Sequence, residues 1–259
     1  MSTPRFAALA LLALLAGHVS PVVAAPLVEL GVVDRDTGQW LPQHPHRGDA
    51  WVAGAPGHRY GVRLTNTTGE RVLVVLSVDG VNAVTGQTAH PSQAGYVLEP
   101  WQTTEIAGWR KSMDDVAQFV FTDLGDSYAA RTGRPQNVGV IGVAVFREAR
   151  AYAPLPIVRP YPEQRREAAA APASEANADR AAMPQGIGTG HGQREWAPTS
   201  RTGFVRATHQ PEQVSEVRYD ERRRLLARGI LPRPQPPHRD DAPRAFPGSF
   251  VADPPPRWR

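Results

Sequence analysis

Arg71-Val-Leu-Val-Val-Leu-Ser-Val-Asp-Gly80 is the stretch whose reading decides the fold. It is apolar, mostly β-branched, and closes on Asp79-Gly80, a two-residue turn signal. A run so largely apolar and rich in valine marks a strand buried on both faces. Upstream, Tyr60, Val62 and Leu64 alternate with Gly61, Arg63 and Thr65, the period of a half-buried strand. Further back, residues 28–33 and 39–41 flank Asp34-Arg-Asp-Thr-Gly38 in a strand, turn, strand pattern. Residues 42–58, rich in Pro, His and Gly, read as irregular.

Downstream, Val81-Asn-Ala-Val-Thr85 pairs back across the Asp79-Gly80 turn. Gly95-Tyr-Val-Leu98 and residues 103–109 are strands joined by Glu99-Pro-Trp-Gln102. Ser112-Met-Asp-Asp115 has the form of a capping box for a short helical turn. Residues 118–122 read as a strand, Ser127-Tyr-Ala-Ala-Arg131 as one helical turn, and residues 137–146 as a closing strand relieved by Gly139 and Gly142. About eight strands at short spacing predict an all-β, β-sandwich-like domain over residues 25–148. A domain of about 120 residues buries about two-thirds of its unfolded surface. That matters here because the chain has no cysteine to cross-link it, and so no thiol chemistry or thiolate metal site either.

Residues 1–24 have the three-part form of a secretory signal peptide: Arg5, then Phe6-Ala-Ala-Leu-Ala-Leu-Leu-Ala-Leu-Leu-Ala16, then small residues up to a cut after Ala24. The apolar run falls short of the about 20 residues that span a bilayer. No other run qualifies, so no transmembrane segment is expected in the mature chain. The expected address is the periplasm or the cell exterior.

The larger share of the 26 prolines falls in the C-terminal half. The charge is uneven too. Residues 147–259 carry 19 arginines against 13 acids, net +6, and the remainder is −2. Residues 149–192 read as a Pro/Ala-rich linker. Residues 193–232 read as a short strand, strand, helix segment: strands at 203–207 and 214–219, Asp220 as helix N-cap, Arg228 in the last turn and Gly229 beyond it. Such a unit is too small to stand alone. Residues 233–259, Pro- and Arg-rich, are expected to be disordered.

Candidate chemistry is sparse. His44-Pro-His46 sets two imidazoles on one side of an extended segment, a spacing that suits a metal, with His58 and His90 elsewhere in the domain. Arg47-Gly-Asp49 is an adhesion-type tripeptide. Asp114, Asp115, Asp123 and Asp126 cluster in sequence without the spacing of a calcium loop. Gly186-Ile-Gly-Thr-Gly-His-Gly192 lacks the ending of a phosphate loop and reads as a flexible or tight-turning segment. Trp40, Trp51, Trp101 and Trp109 read as packing rather than a sugar platform. Arg222, Arg223, Arg224 and Arg228 form the most basic local patch, suited to phosphate or acidic partners. There is no Gly-x-Ser-x-Gly elbow and no His-Glu-x-x-His, and no cofactor is implied.

Several segments together resemble a family of uncharacterised bacterial secreted proteins. They are Leu76-Ser-Val-Asp-Gly-Val-Asn-Ala-Val-Thr-Gly86, Gln93-Ala-Gly-Tyr-Val-Leu98, Gly108-Trp-Arg-Lys-Ser112, Asp126-Ser-Tyr-Ala-Ala-Arg-Thr-Gly133 and Asn137-Val-Gly-Val-Ile-Gly-Val-Ala-Val-Phe-Arg147, with Gly188-Thr-Gly-His-Gly192 and Tyr219-Asp220. The resemblance implies a β-rich exported domain and no activity. The leading expectation is a non-enzymatic envelope module. Its basic C-terminal arginines would contact an envelope protein or an anionic envelope polymer, and export disfavours nucleic acid. The rival is a periplasmic metal-dependent or hydrolytic enzyme with its site in the His-rich 42–58 loop.

Overall fold

The computed structural model of the chain describes residues 25–150 and 185–232. The signal segment 1–24, residues 151–184 of the linker and the tail 233–259 lie outside the described residues.

β1 (Val28–Asp34) turns into β2 (Gln39–Leu41). The stretch expected to be irregular holds two strands instead, β3 (His44–His46) and β4 (Asp49–Gly54). They are joined at Arg47 and Gly48, both at positive φ as a tight hairpin requires. Pro45 cannot donate to a ladder, and β3 accordingly sits at a sheet edge. β5 (Arg59–Asn66) buries Tyr60, Val62 and Leu64, as its alternation predicts.

The decisive stretch is β6 (Val72–Val78). It turns through Asp79 and Gly80, at φ 53° and 72°, into β7 (Val81–Asn82). β8 (Tyr96–Leu98), β9 (Thr103–Ile106), β10 (Gly108–Arg110) and β11 (Asp115–Asp123) follow. The Ser112 side chain does accept the N–H groups of Asp114 and Asp115, but it closes a turn before β11 rather than starting a helix. Ser127 caps α1 (Tyr128–Arg131), accepting from Ala130 N–H at 3.2 Å. β12 (Val140–Arg147) ends the first described part.

The linker reading to residue 192 is corrected by the next element. The glycine-rich run opens β13 (Ile187–Trp196), which pairs with β11 along its length. Residues 203–207 are not a strand. β14 (Gln213–Glu221) is one, and α2 (Arg222–Ala227) follows it. Asp220 is not the N-cap: it lies in β14, buried, and Glu221 holds the cap position without a side-chain bond.

The architecture is all-β: two sheets of seven strands, with no barrel. One sheet runs β10-β11-β5-β1-β2, with β13 on β11 and β9 on β5. The other runs β3-β4-β14-β12-β6-β7, with β8 on β6. β14 is parallel to β4 and antiparallel to β12, so a strand from late in the chain sits inside the second sheet.

Between the sheets lie the inward side chains, among them Tyr60 stacked on Phe121 at 4.2 Å and Trp109 edge-on to Phe119 at 4.8 Å. Full burial of each large apolar side chain stabilises by about 1.5–3 kcal/mol. On the outer face of the second sheet, Leu73, Val75, Ala144 and Phe146 are covered by Phe204 and Val97, and the Arg206 guanidinium lies 4.2 Å from the Phe146 ring. This cover explains why β6 is apolar on both faces. Gly108 marks the closest strand approach: a Cβ there would lie 1.9 Å from the Ala117 carbonyl oxygen.

Candidate functional site

The segment after β13, whose Phe204 helps cover the second sheet, leaves a groove beside it. Val84, residues 94–97, Glu99, Gln102, residues 110–113 and residues 199–202 line a volume of about 990 Å³. The edge strand β8 contributes Tyr96 and Val97, the end of β10 contributes Arg110, and the chain beyond β13 supplies the facing wall.

The charge of the groove is one-sided. Arg110, Lys111 and Arg201 make no ion pair among the described residues. The one carboxylate, Glu99, lies 3.2 Å from Arg71, which also holds Glu148 at 2.8 Å. Arg110 is half-buried and fixed, its Nη1 donating to the Ala197 carbonyl while Nε is buried without a partner. Tyr96 stands beside it with its hydroxyl buried against the guanidinium. Burial pushes the Tyr96 phenol above its ordinary value, and the neighbouring Arg110 opposes that shift. A half-buried guanidinium without a counter-charge is costly, and an anion in the groove would relieve the cost. Ser112, Thr199 and Ser200 add hydroxyls to the lining.

The sites expected from sequence fare differently. His44 and His46 flank Pro45 on β3, opposite Trp51 and Asp49. Among the described residues no third ligand joins them. Among the described residues the group of metal-ligating side chains within mutual reach is Asp34, Asp36 and His58. There, His58 Nδ1 lies 2.7 Å from Asp34 Oδ2, and Asp34 Oδ1 accepts the N–H groups of Asp36 and Thr37. Asp36 accepts from Arg59. Burial works to raise the Asp34 pKa, but His58 and the two N–H donors outweigh it and hold the carboxyl below its ordinary value. Both carboxylates of the group are thus engaged, Asp34 in closing the β1–β2 turn and Asp36 in holding Arg59 of β5.

Asp49 of the adhesion-type tripeptide lies 3.2 Å from Arg218, and the tripeptide forms the β3–β4 turn. Asp115 and Asp123 stand at opposite ends of β11, about 26 Å apart at the strand rise, so the four aspartates do not converge. Trp51 and Trp109 are buried, as packing predicts, whereas Trp40 and Trp101 are 56% and 68% exposed. Trp40 still packs, lying over Gly31 with the Arg63 guanidinium 4.6 Å from its ring.

The C-terminal arginines divide. Arg222, Arg223 and Arg224 are exposed, Arg223 next to Glu221 at 2.7 Å. Arg228 is turned inward, 4.5 Å from the Trp51 ring and 3.6 Å from the buried Asp220. The patch does not converge on the groove. Sequence reasoning missed Arg110, Lys111 and Arg201. A signal existed, since Arg110-Lys111 is a cation pair, with the chain's sole lysine, in a half that is otherwise net acidic.

Among the described residues no helix is long and apolar enough to cross a membrane. Comparison with protein-family models, with curated proteins and with solved structures finds no match.

Proposed function

We propose that the chain is an exported, non-enzymatic binding module of the bacterial envelope, freed by removal of residues 1–24, and that it engages an anionic partner through the groove. One observation carries the reading: Arg110, Lys111 and Arg201 line one groove without carboxylate partners, while Asp36, Asp49 and Glu195 are each matched by an arginine. A field of one sign in a concave site attracts counter-charged ligands. The export signal and the resemblance to bacterial secreted proteins supply the envelope setting. Of the rival site's histidines, His44 and His46 gain no third ligand among the described residues, and His58 stands with Asp34 and Asp36, whose carboxylates are already hydrogen-bonded within the fold.

The test uses the mature chain and two polyanions, polyglutamate and polygalacturonate, at low salt. The double variant Lys111→Gln/Arg201→Gln is expected to weaken capture severalfold, up to about thirtyfold, because both side chains are exposed and an exposed charged contact is worth about 0.2–1 kcal/mol. Capture unchanged by the double variant overturns the proposal.

A further inference from the structure

One wall of the groove is a strand edge. β8 (Tyr96–Leu98) pairs with β6 and with no other strand among the described residues. Gly95, Tyr96 and Val97 line the groove. An unpaired strand edge is a template on which an extended chain can form main-chain hydrogen bonds. Arg110 and Lys111 lie on one side of that edge, and Arg201 comes from the facing segment. No tryptophan lines the groove, and the Tyr96 hydroxyl is buried, so no open aromatic platform is offered to a sugar ring.

We infer that the groove's ligand is an acidic, extended polypeptide segment that adds to the free edge of β8 and sets its carboxylates against Arg110, Lys111 and Arg201. The inference rests on the reading of the groove as an anion site and goes beyond it by naming the partner's class. Side chains two apart on an added strand share one side and repeat at about 6.8 Å. Aspartate or glutamate at alternate positions therefore presents a row of carboxylates along the cation-lined groove, and backbone pairing holds the register.

The experiment is a calorimetric titration of the mature chain at low salt with four probes. They are a Thr/Val decapeptide carrying Asp at alternate positions, its Asn counterpart, the Asp peptide methylated at alternate backbone nitrogens, and an oligogalacturonate of matched charge. The Asp peptide is expected to bind, and the Asn and N-methylated peptides to bind at least about tenfold more weakly. Arg110→Gln is expected to weaken the Asp peptide about tenfold. Lys111→Gln, at an exposed side chain, is expected to weaken it in the same direction. Equal binding of the N-methylated peptide overturns the inference. Binding of oligogalacturonate without the Asp peptide also overturns it and leaves the broader proposal standing. Binding of neither probe overturns both.

Discussion

The Tyr219 hydroxyl donates to the Asp79 carboxylate across 2.6 Å, tying the turn after β6 to a strand 140 residues further along the chain. Asp79 also accepts from Gly139 N–H at 2.8 Å and from Thr189 N–H at 2.7 Å. Thr189 Oγ1 in turn lies 2.6 Å from the Tyr219 hydroxyl and 2.5 Å from that of Tyr60. All four side chains are buried. A buried carboxylate is tolerated only when it is fully hydrogen-bonded, and here the bonds come from both sheets.

Tyr219→Phe keeps the ring and removes one donor to the carboxylate. A hydrogen bond to a charged group is worth about 1.5–3 kcal/mol, so the variant is expected to lose about that much stability at pH 7, measured as a lower midpoint of urea unfolding with unchanged slope.

Burial pushes the Asp79 carboxyl from 3.8 up to about 6, against the bonds from Tyr219, Thr189 and Gly139 that favour its ionised form. The unfolded chain releases this proton near 3.8 and the folded chain near 6. Between those values the folded state holds a proton that the unfolded state has lost. Stability from this group therefore falls as the pH rises through the window and is level on either side, a change of about 3 kcal/mol. Glu195, held low by its bond from Arg35, contributes with the opposite sign, losing stability as the pH falls. Subtracting the urea stability of Asp79→Asn from that of the native chain at each pH isolates the descending component. A flat difference between pH 4 and 6 contradicts it.

Arg228→Ala leaves the Asp220 carboxylate buried with only the N–H groups of Gly186 and Glu221, and strips a cation from the Trp51 ring. A cost of about 2 kcal/mol is expected, since Arg228 is partly exposed and the pair is discounted for solvent. Arg222→Ala, at an exposed position, is expected to stay within about 0.5 kcal/mol. Thermal unfolding of the two variants side by side checks the contrast.

The fold was legible where one chain segment carries its own signal. Residues 72–76 are apolar throughout because Phe204 and Val97 cover one face and the other sheet covers the other. β5 alternates because only one of its faces is buried in the core. β13 was hidden because its glycines read as a loop. In the fold Gly188 packs against Ser127 and Val138, and Gly192 against Val120 and Gln118, where a Cβ would clash. Those neighbours are remote in sequence, so composition alone could not reveal them. Asp79 was legible as a turn residue but not as a hub, because its donors lie 60, 110 and 140 residues away. The groove was illegible for the same reason: its walls come from residues 84–113 and 199–202.

The C-terminal strands are part of the two sheets, with β14 between β4 and β12 and β13 along β11. The direct test is to produce residues 25–150 and 185–232 as two separate polypeptides and measure their association by copurification at equal stoichiometry. The account predicts that the two copurify and unfold in one cooperative transition. Residues 25–150 folding cooperatively alone, with no retention of residues 185–232, would contradict it.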